Sequence, residues 1–187
     1  MTTHLDLTKQ YTYVDYLSEK FNDVKCEIIN GFINLMAGPS RNHSGVSSNI
    51  VTYLNHYALL HDCKCFVRHA PFDVVLGDNK ENVIQPDVFI VCDESKMQEK
   101  ACFGAPDLVV EVISPSNTKK LMRYKYQLYE KHKVLEYWVV YPKDQEILVF
   151  CHQGEEYDNG TVYTINDFLQ PKCLPVKVNV KDLFKNI

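Results

Sequence analysis

Apolar residues recur at Val46, Ile50, Val51, Leu54, Tyr57 and Ala58, a helical spacing that predicts a long helix over 42–60. Upstream, residues 11–21 (YTYVDYLSEKF) read as a short helix, followed by apolar runs over 25–29 and 32–36. Asn30-Gly31 between those runs signals a hairpin, because both turn positions need positive φ. Gly38-Pro39-Ser40 ends the second run. Beyond the long helix, the pattern predicts strands at 65–69, 72–76, 83–91 and 107–113, with a loop or helical turn over 94–100. The last of these strands stops at Ser114-Pro115-Ser116-Asn117, where Asn117 or Ser116 can cap a helix over 118–133. Strands at 136–140 and 146–151, turned by Pro142-Lys143-Asp144, come next, and the tail ends in a helical turn at 181–187. No repeat, linker or low-complexity segment interrupts the pattern, so 1–187 reads as one domain. The fold class is α/β or α+β, a mixed sheet flanked by helices. The step from strand 107–113 through helix 118–133 to strand 136–140 can be a parallel crossover, which sets the helix's first turns beside the end of the first strand.

Two of these strands each set a carboxylate among β-branched residues: Gln85-Pro86-Asp87-Val88-Phe89-Ile90-Val91 and Ala105-Pro106-Asp107-Leu108-Val109-Val110-Glu111-Val112-Ile113. Strands of this composition are normally buried, and a buried carboxylate is costly unless paired, protonated or metal-bound. Alternation puts Asp87, Phe89 and Val91 on one face of the first, and Asp107, Val109, Glu111 and Ile113 on one face of the second. If the strands are neighbours, Asp87 and Glu111 can converge on one divalent cation, with a main-chain carbonyl near 112 as a possible third ligand. Asp107, after a proline, reads first as a residue that satisfies loop amides, and as a site residue only second.

Composition narrows the class without naming a function. Hydrophobic residues at 45% and charged ones at 24% describe an ordinary globular chain. No apolar run approaches the ~20 residues that span a bilayer, and the N-terminal run 1–6 lacks the basic and apolar regions of a secretory signal, so a cytoplasmic protein is expected. A net charge of −4 argues against binding nucleic acid by bulk charge alone, though not against a local grip. The seven cysteines are scattered through apolar stretches and read as free thiols packed in the core of a protein from a reducing compartment. The group His61-Asp62-Cys63-Lys64-Cys65 lacks the second Cys/His cluster that zinc spacing requires.

The segments E-I-I-N-G-F-I-N-L-M, N-H-S, Q-P-D-V, A-P-D-L-V-V-E-V-I-S-P-S, K-Y-Q-L-Y and V-L-E-Y-W-V-V, in this order and spacing over about residues 11–150, resemble the Uma-two family of bacterial endonucleases. That family is assigned to the PD-(D/E)XK, restriction-endonuclease-like superfamily. The resemblance implies an αβββαβ core with extra N- and C-terminal strands and a Mg²⁺ (or Mn²⁺) phosphodiesterase site. It also implies a DNA substrate, frequently a homodimer, and no organic cofactor or membrane partner. Residue by residue, Asp87 matches the Asp of the Pro-Asp pair and Glu111 the acidic residue of the following strand. The lysine usually found two positions later falls at Ile113, which cannot serve. In this family the lysine lies on the next helix, where Lys125 matches, with Tyr129 one turn on. Glu27 and His43 match two further family positions. Where many relatives carry an Asp, this chain has Leu121, and Tyr141-Pro142 stands where Asp-Pro is common.

The chemistry suits these residues. Phosphodiester hydrolysis needs an activated water and neutralisation of developing negative charge, and Mg²⁺ usually takes one or two carboxylates plus waters and phosphate. Helix phase places Lys125 on a stripe with Leu121 and Leu128, which turns it inward. Removing its ammonium is expected to abolish cleavage while leaving folding nearly intact. His43 at a helix start reads as a cap or packing residue, and Glu27 has no assigned role. Lys119, Lys120 and Arg123 could meet DNA phosphates, or simply be solvated. Aromatic residues in the C-terminal strands, Tyr157, Tyr163 and Phe168, offer apolar surface for a dimer. The competing reading, favoured by Leu121 and Ile113, is a catalytically silent nucleic-acid-binding or regulatory protein that keeps the nuclease fold.

Overall fold

The structure is a computed structural model that describes residues 5–115 and 117–187. The first four residues of the N-terminal run and Ser116, a possible cap, lie outside the described residues. In chain order the elements are α1 (Tyr13–Tyr16), β1 (Cys26–Ile29), β2 (Phe32–Leu35), α2 (Arg41–Leu60), β3 (Phe66–His69), β4 (Asp73–Leu76), β5 (Asn82–Ile84), β6 (Val88–Val91), β7 (Ala101–Phe103), β8 (Leu108–Val112), α3 (Lys119–Lys131), β9 (Glu136–Tyr141), β10 (Glu146–Cys151), β11 (Thr161–Thr164), β12 (Phe168–Leu169), β13 (Val178–Asn179) and α4 (Val180–Leu183).

The strands form a six-stranded sheet in the order β11-β10-β9-β8-β6-β3 and a five-stranded sheet in the order β2-β1-β5-β4-β7, with β12 and β13 paired apart. Both large sheets are mixed: β8 runs parallel to β9 and antiparallel to β6, and β4 runs parallel to β7. This is an α+β architecture. Alternation along the strands sorts the core into layers. Val88, Ile90, Leu108, Val110 and Val112 face α2 and the C-terminal segment, while Phe89, Val91 and Val109 face α3 and the inner side of the five-stranded sheet. On β1, Cys26 and Ile28 face outward under Tyr13 and Phe21, leaving Glu27 and Ile29 to point between the two sheets.

Several elements depart from the sequence pattern. The helix expected over 11–21 is a single turn, α1, and a 3₁₀ turn at Glu19–Phe21. Asp15 accepts from the Thr12 amide at 2.8 Å and so starts α1, but Ser18 is extended (φ −76°, ψ 155°) and breaks it. The strand expected over 83–91 is split between the two sheets. Pro86 has no amide proton to give to a ladder, and the Gln85 amide donates to Glu27 Oε1 at 3.1 Å, so pairing stops there. The hairpin turn forms with Asn30 at φ 52° and Gly31 at φ 83°.

The cap of α3 is Thr118, whose Oγ1 accepts from the Leu121 amide at 3.1 Å. Asn117, one of the residues expected there, instead accepts from the amide and hydroxyl of Ser114 at 2.6 and 2.7 Å, closing the strand-to-helix turn. The expectation that all cysteines are free is also corrected. Phe66 pairs with Val91, which sets the next residues outward opposite each other, and Cys65 and Cys92 are joined in a disulfide. The dimer argument loses one of its aromatics: Tyr157 is buried in the core, although Phe168 is exposed.

Candidate active site

The β6–β8 pairing sets Val88 opposite Val110, so Asp87 and Glu111 follow as neighbours at the same end of the sheet. Asp87 Oδ2 accepts from the Val112 amide at 2.7 Å, which fixes its side chain across the strand pair. On α2, capped by Ser40, His43 lies in the first turn and reaches back to Asp87, with its Nε2 3.1 Å from Oδ1. That hydrogen bond raises the imidazole pKa against the opposing effect of burial. The other ring nitrogen, His43 Nδ1, is buried with no partner among the described residues.

On α3, Lys125, Leu128 and Tyr129 fall on the buried face. Lys125 Nζ donates to Glu111 Oε1 at 2.8 Å and to Glu27 Oε1 at 2.9 Å, and Tyr129 Oη donates to Glu111 Oε1 at 2.5 Å. Lys125 and Glu111 are each 4% exposed and Glu27 1%, so these are interior ion pairs. Glu27 arrives from the second sheet, and the site is closed between the two. The expectation that Lys125 can be removed without harm to folding is therefore revised: its loss leaves two carboxylates buried without their cation.

Two residues that sequence reasoning passed over help hold this arrangement. The Gln85 main chain meets Glu27, and its side chain donates to Asp73 Oδ1 at 2.9 Å and to Tyr16 Oη at 3.2 Å. The segment leading to Asp87 is thus pinned to the five-stranded sheet and to α1. The pattern Gln85-Pro86-Asp87 held a faint signal for this, because a polar residue before proline in an apolar run must find partners elsewhere. Burial raises the carboxyl pKa of Asp73.

The electrostatics are those of excess negative charge in a dry place. Burial pushes Glu111 up to about 7, with Lys125 opposing and Asp87 and Glu27 adding to the shift. Burial alone would lower Lys125, but Glu111 and then Glu27 more than reverse it and hold the ammonium above its usual range. Burial, then Glu111, also lifts the Tyr129 phenol, which stays a donor.

Glu27, Asp87, Glu111, His43 and Lys125 all line one cavity of about 230 Å³. Among the described residues no group of three or more His, Cys, Asp or Glu side chains is arranged to hold a metal ion by itself. Two carboxylates are nevertheless the number that Mg²⁺ takes when waters and phosphate complete its shell. In the cavity Glu27 and Glu111 share one lysine and Asp87 pairs with His43, and each carboxylate oxygen can accept a second interaction. By charge and donor type the residues fit a hard divalent cation.

The other sequence candidates sit elsewhere. Asp107 Oδ2 accepts from the Cys92 amide at 2.7 Å at the far end of β8, the loop-satisfying role. Lys119, Lys120 and Arg123 are exposed on α3 and line none of the cavities at this end of the sheet.

Comparison with known proteins agrees with this geometry at the level of fold and family. A crystal structure described as that of a putative nuclease from Anabaena variabilis superposes with a TM-score of 0.75 at 19% identity, over 93% of this chain and 97% of that one. At that identity the likeness speaks to the fold. Two uncharacterized proteins of Synechocystis sp. are similar in sequence. One is 26% identical over 87% of this chain and 85% of its own length, the other 27% over 80% and 81%. No helix among the described residues is long and apolar enough to cross a membrane. The model of the family Uma2, described as "Putative restriction endonuclease", matches residues 11–181, and the chain belongs to that family.

Proposed function

We propose that this protein is a Mg²⁺-dependent endonuclease that hydrolyses phosphodiester bonds in DNA. Asp87 and Glu111 would hold the cation, with a main-chain carbonyl near Val112 as a third ligand. The observation that carries the reading is the meeting of Glu27, Asp87 and Glu111 in one cavity, Glu27 and Glu111 on the Lys125 ammonium and Asp87 on His43. When bound, the cation supplies charge neutralisation at the phosphate and lowers the pKa of a coordinated water. The chain's own residues do the rest. Lys125, held protonated by two carboxylates, is a fixed positive charge for the developing negative oxygens and not a base. Glu27 fixes its direction, Tyr129 fixes Glu111, and His43 fixes Asp87.

Incubation of supercoiled plasmid with Mg²⁺ or Mn²⁺ should yield nicked and linear forms, and EDTA or the Asp87→Ala change should prevent this. Intact plasmid and intact single-stranded DNA under every cation condition would overturn the reading. They would favour the second one, a silent nucleic-acid-binding protein, for which Ile113 and Leu121 speak. In that case calorimetry would find no Mn²⁺ binding that depends on Asp87.

A homodimer and a cytoplasmic setting belong to the same proposal. The exposed Val162 on β11 and Phe168 on β12 are apolar surface residues that support dimerisation. Light scattering at micromolar concentration should give twice the chain mass, and cell fractionation tests the compartment.

A further inference from the structure

The cavity around Glu111 is the middle of a longer cleft. It shares Ser114 with a cavity of about 610 Å³ and shares Pro39, His43, Ala70 and Asp87 with another of about 430 Å³. The three spaces thus run on from one another across one end of the six-stranded sheet, with the carboxylates in the middle. Their two arms differ in chemistry. The larger arm has apolar walls from Ile113, Pro115 and Tyr141 and three exposed charges, the cations Arg41 and Lys143 and the carboxylate Asp144. The other arm is lined by hydroxyls and imidazoles, among them Ser44, Ser47, Thr52 and His69, without a Lys or Arg.

We propose that this cleft takes a single, unpaired DNA strand, with Tyr141 as a stacking platform for a base and Arg41 and Lys143 on the phosphates of that arm. The proposal rests on the nuclease reading and adds to it the strandedness of the substrate and the side on which it is gripped.

Depth is the first argument. Of the side chains around the scissile phosphate, Glu111 and Lys125 are almost wholly buried in the central space. A phosphate of a stacked duplex stays on the outside of a stiff cylinder, whereas a strand freed from pairing bends into such a notch. Charge is the second. Duplex binding draws most of its affinity from many Lys and Arg contacts to phosphate, and this cleft offers few. A mainly apolar wall with one aromatic ring and two cations is instead the equipment of single-strand binding, in which stacking carries much of the affinity. The exposed cations of α3, which a duplex would use, lie outside the cleft.

Binding separates this inference from the nuclease reading, because it is measured in EDTA where no cleavage occurs. Fluorescence anisotropy would use a labelled oligodeoxynucleotide of roughly 15 nucleotides, single-stranded or annealed to its complement. The single strand should bind at least about tenfold more tightly. Tyr141→Ala should weaken it about 5- to 100-fold, the range of one lost base–aromatic stack. Arg41→Ala and Lys143→Ala should each reduce the slope of log affinity against log salt by about 0.7. Lys131→Ala, which removes an exposed cation outside the cleft, should change neither. Melting temperatures check that each variant folds, and exposed Arg41 keeps the test available if Tyr141→Ala does not. Equal or tighter duplex binding, or single-strand binding indifferent to both Tyr141 and Arg41, would overturn the inference even if plasmid is cleaved. Selective single-strand binding without cleavage of single-stranded DNA in Mg²⁺ or Mn²⁺ would uphold it and refute the nuclease reading instead.

Discussion

Lys125 has two jobs that a single substitution cannot separate. Its ammonium joins Glu27 on one sheet to Glu111 on the other, and it is a fixed cation beside the candidate metal ligand Glu111. Lys125→Ala should cost about 3–5 kcal/mol in urea unfolding, because breaking a buried pair strands its partners. Cleavage should fall by ~10²–10³ where the protein is still folded. The double variant Glu27→Gln, Lys125→Met should cost less than the sum of its single changes and stay inactive, which separates the structural contribution from the chemical one. A different residue contributes to the acid response. Burial, then Lys131, lowers the pKa of His132 from 6.5, so at this group the unfolded chain binds more protons than the folded one between the two values. The stability that His132 contributes is therefore lost as pH falls through 6.5 toward the lowered value. A melting curve series on His132→Gln should show a smaller drop than the unaltered protein over that window.

Among the elements, α3 and the β1–β2 hairpin deliver the two ends of the Lys125–Glu27 contact, and each depends on a local device. Thr118 caps α3, and Thr118→Ala should lower stability by about 1 kcal/mol in denaturant titration. Gly31 sits at φ 83°, and a Cβ there would come within 3.1 Å of the Gln10 side chain. Gly31→Ala should cost more than about 1 kcal/mol, whereas a glycine free of positive φ would tolerate alanine. Both elements were legible as patterns. Asn30-Gly31 announces its turn chemically, and Leu121, Lys125 and Leu128 announce a helix face. The split at Gln85 was not legible, since an apolar run with one proline reads the same whether its halves share a sheet or not. Only the partner strands, β1 and β4 for one half and β3 and β8 for the other, decide it.

Across the whole molecule, the disulfide joins the first residue before β3 to the first after β6 and closes a stretch of 27 residues. Reduction should lower stability by about 2–4 kcal/mol, as expected for a loop of this length. Alkylation of the unreduced, unfolded protein should modify the five remaining cysteines and spare Cys65 and Cys92, which mass spectrometry reads directly.

The long helix α2, the hairpin, the helix after β8, and the placing of Asp87 and Glu111 beside apolar runs follow from the sequence by itself, because periodicity and turn chemistry are local properties, whereas β7 does not. The resemblance that rests on those same segments led to the family. Three things are fixed only by tertiary structure: Glu27 as the second carboxylate on Lys125, the Cys65–Cys92 pairing, and the joining of three cavities into one cleft. Each depends on residues far apart in the chain. Lys125 and Glu27 are 98 positions apart, and nothing in either neighbourhood records the other. What brings them together is the packing of one sheet against another. Once that packing removes water, a lone glutamate on a hairpin strand is stable only beside a cation.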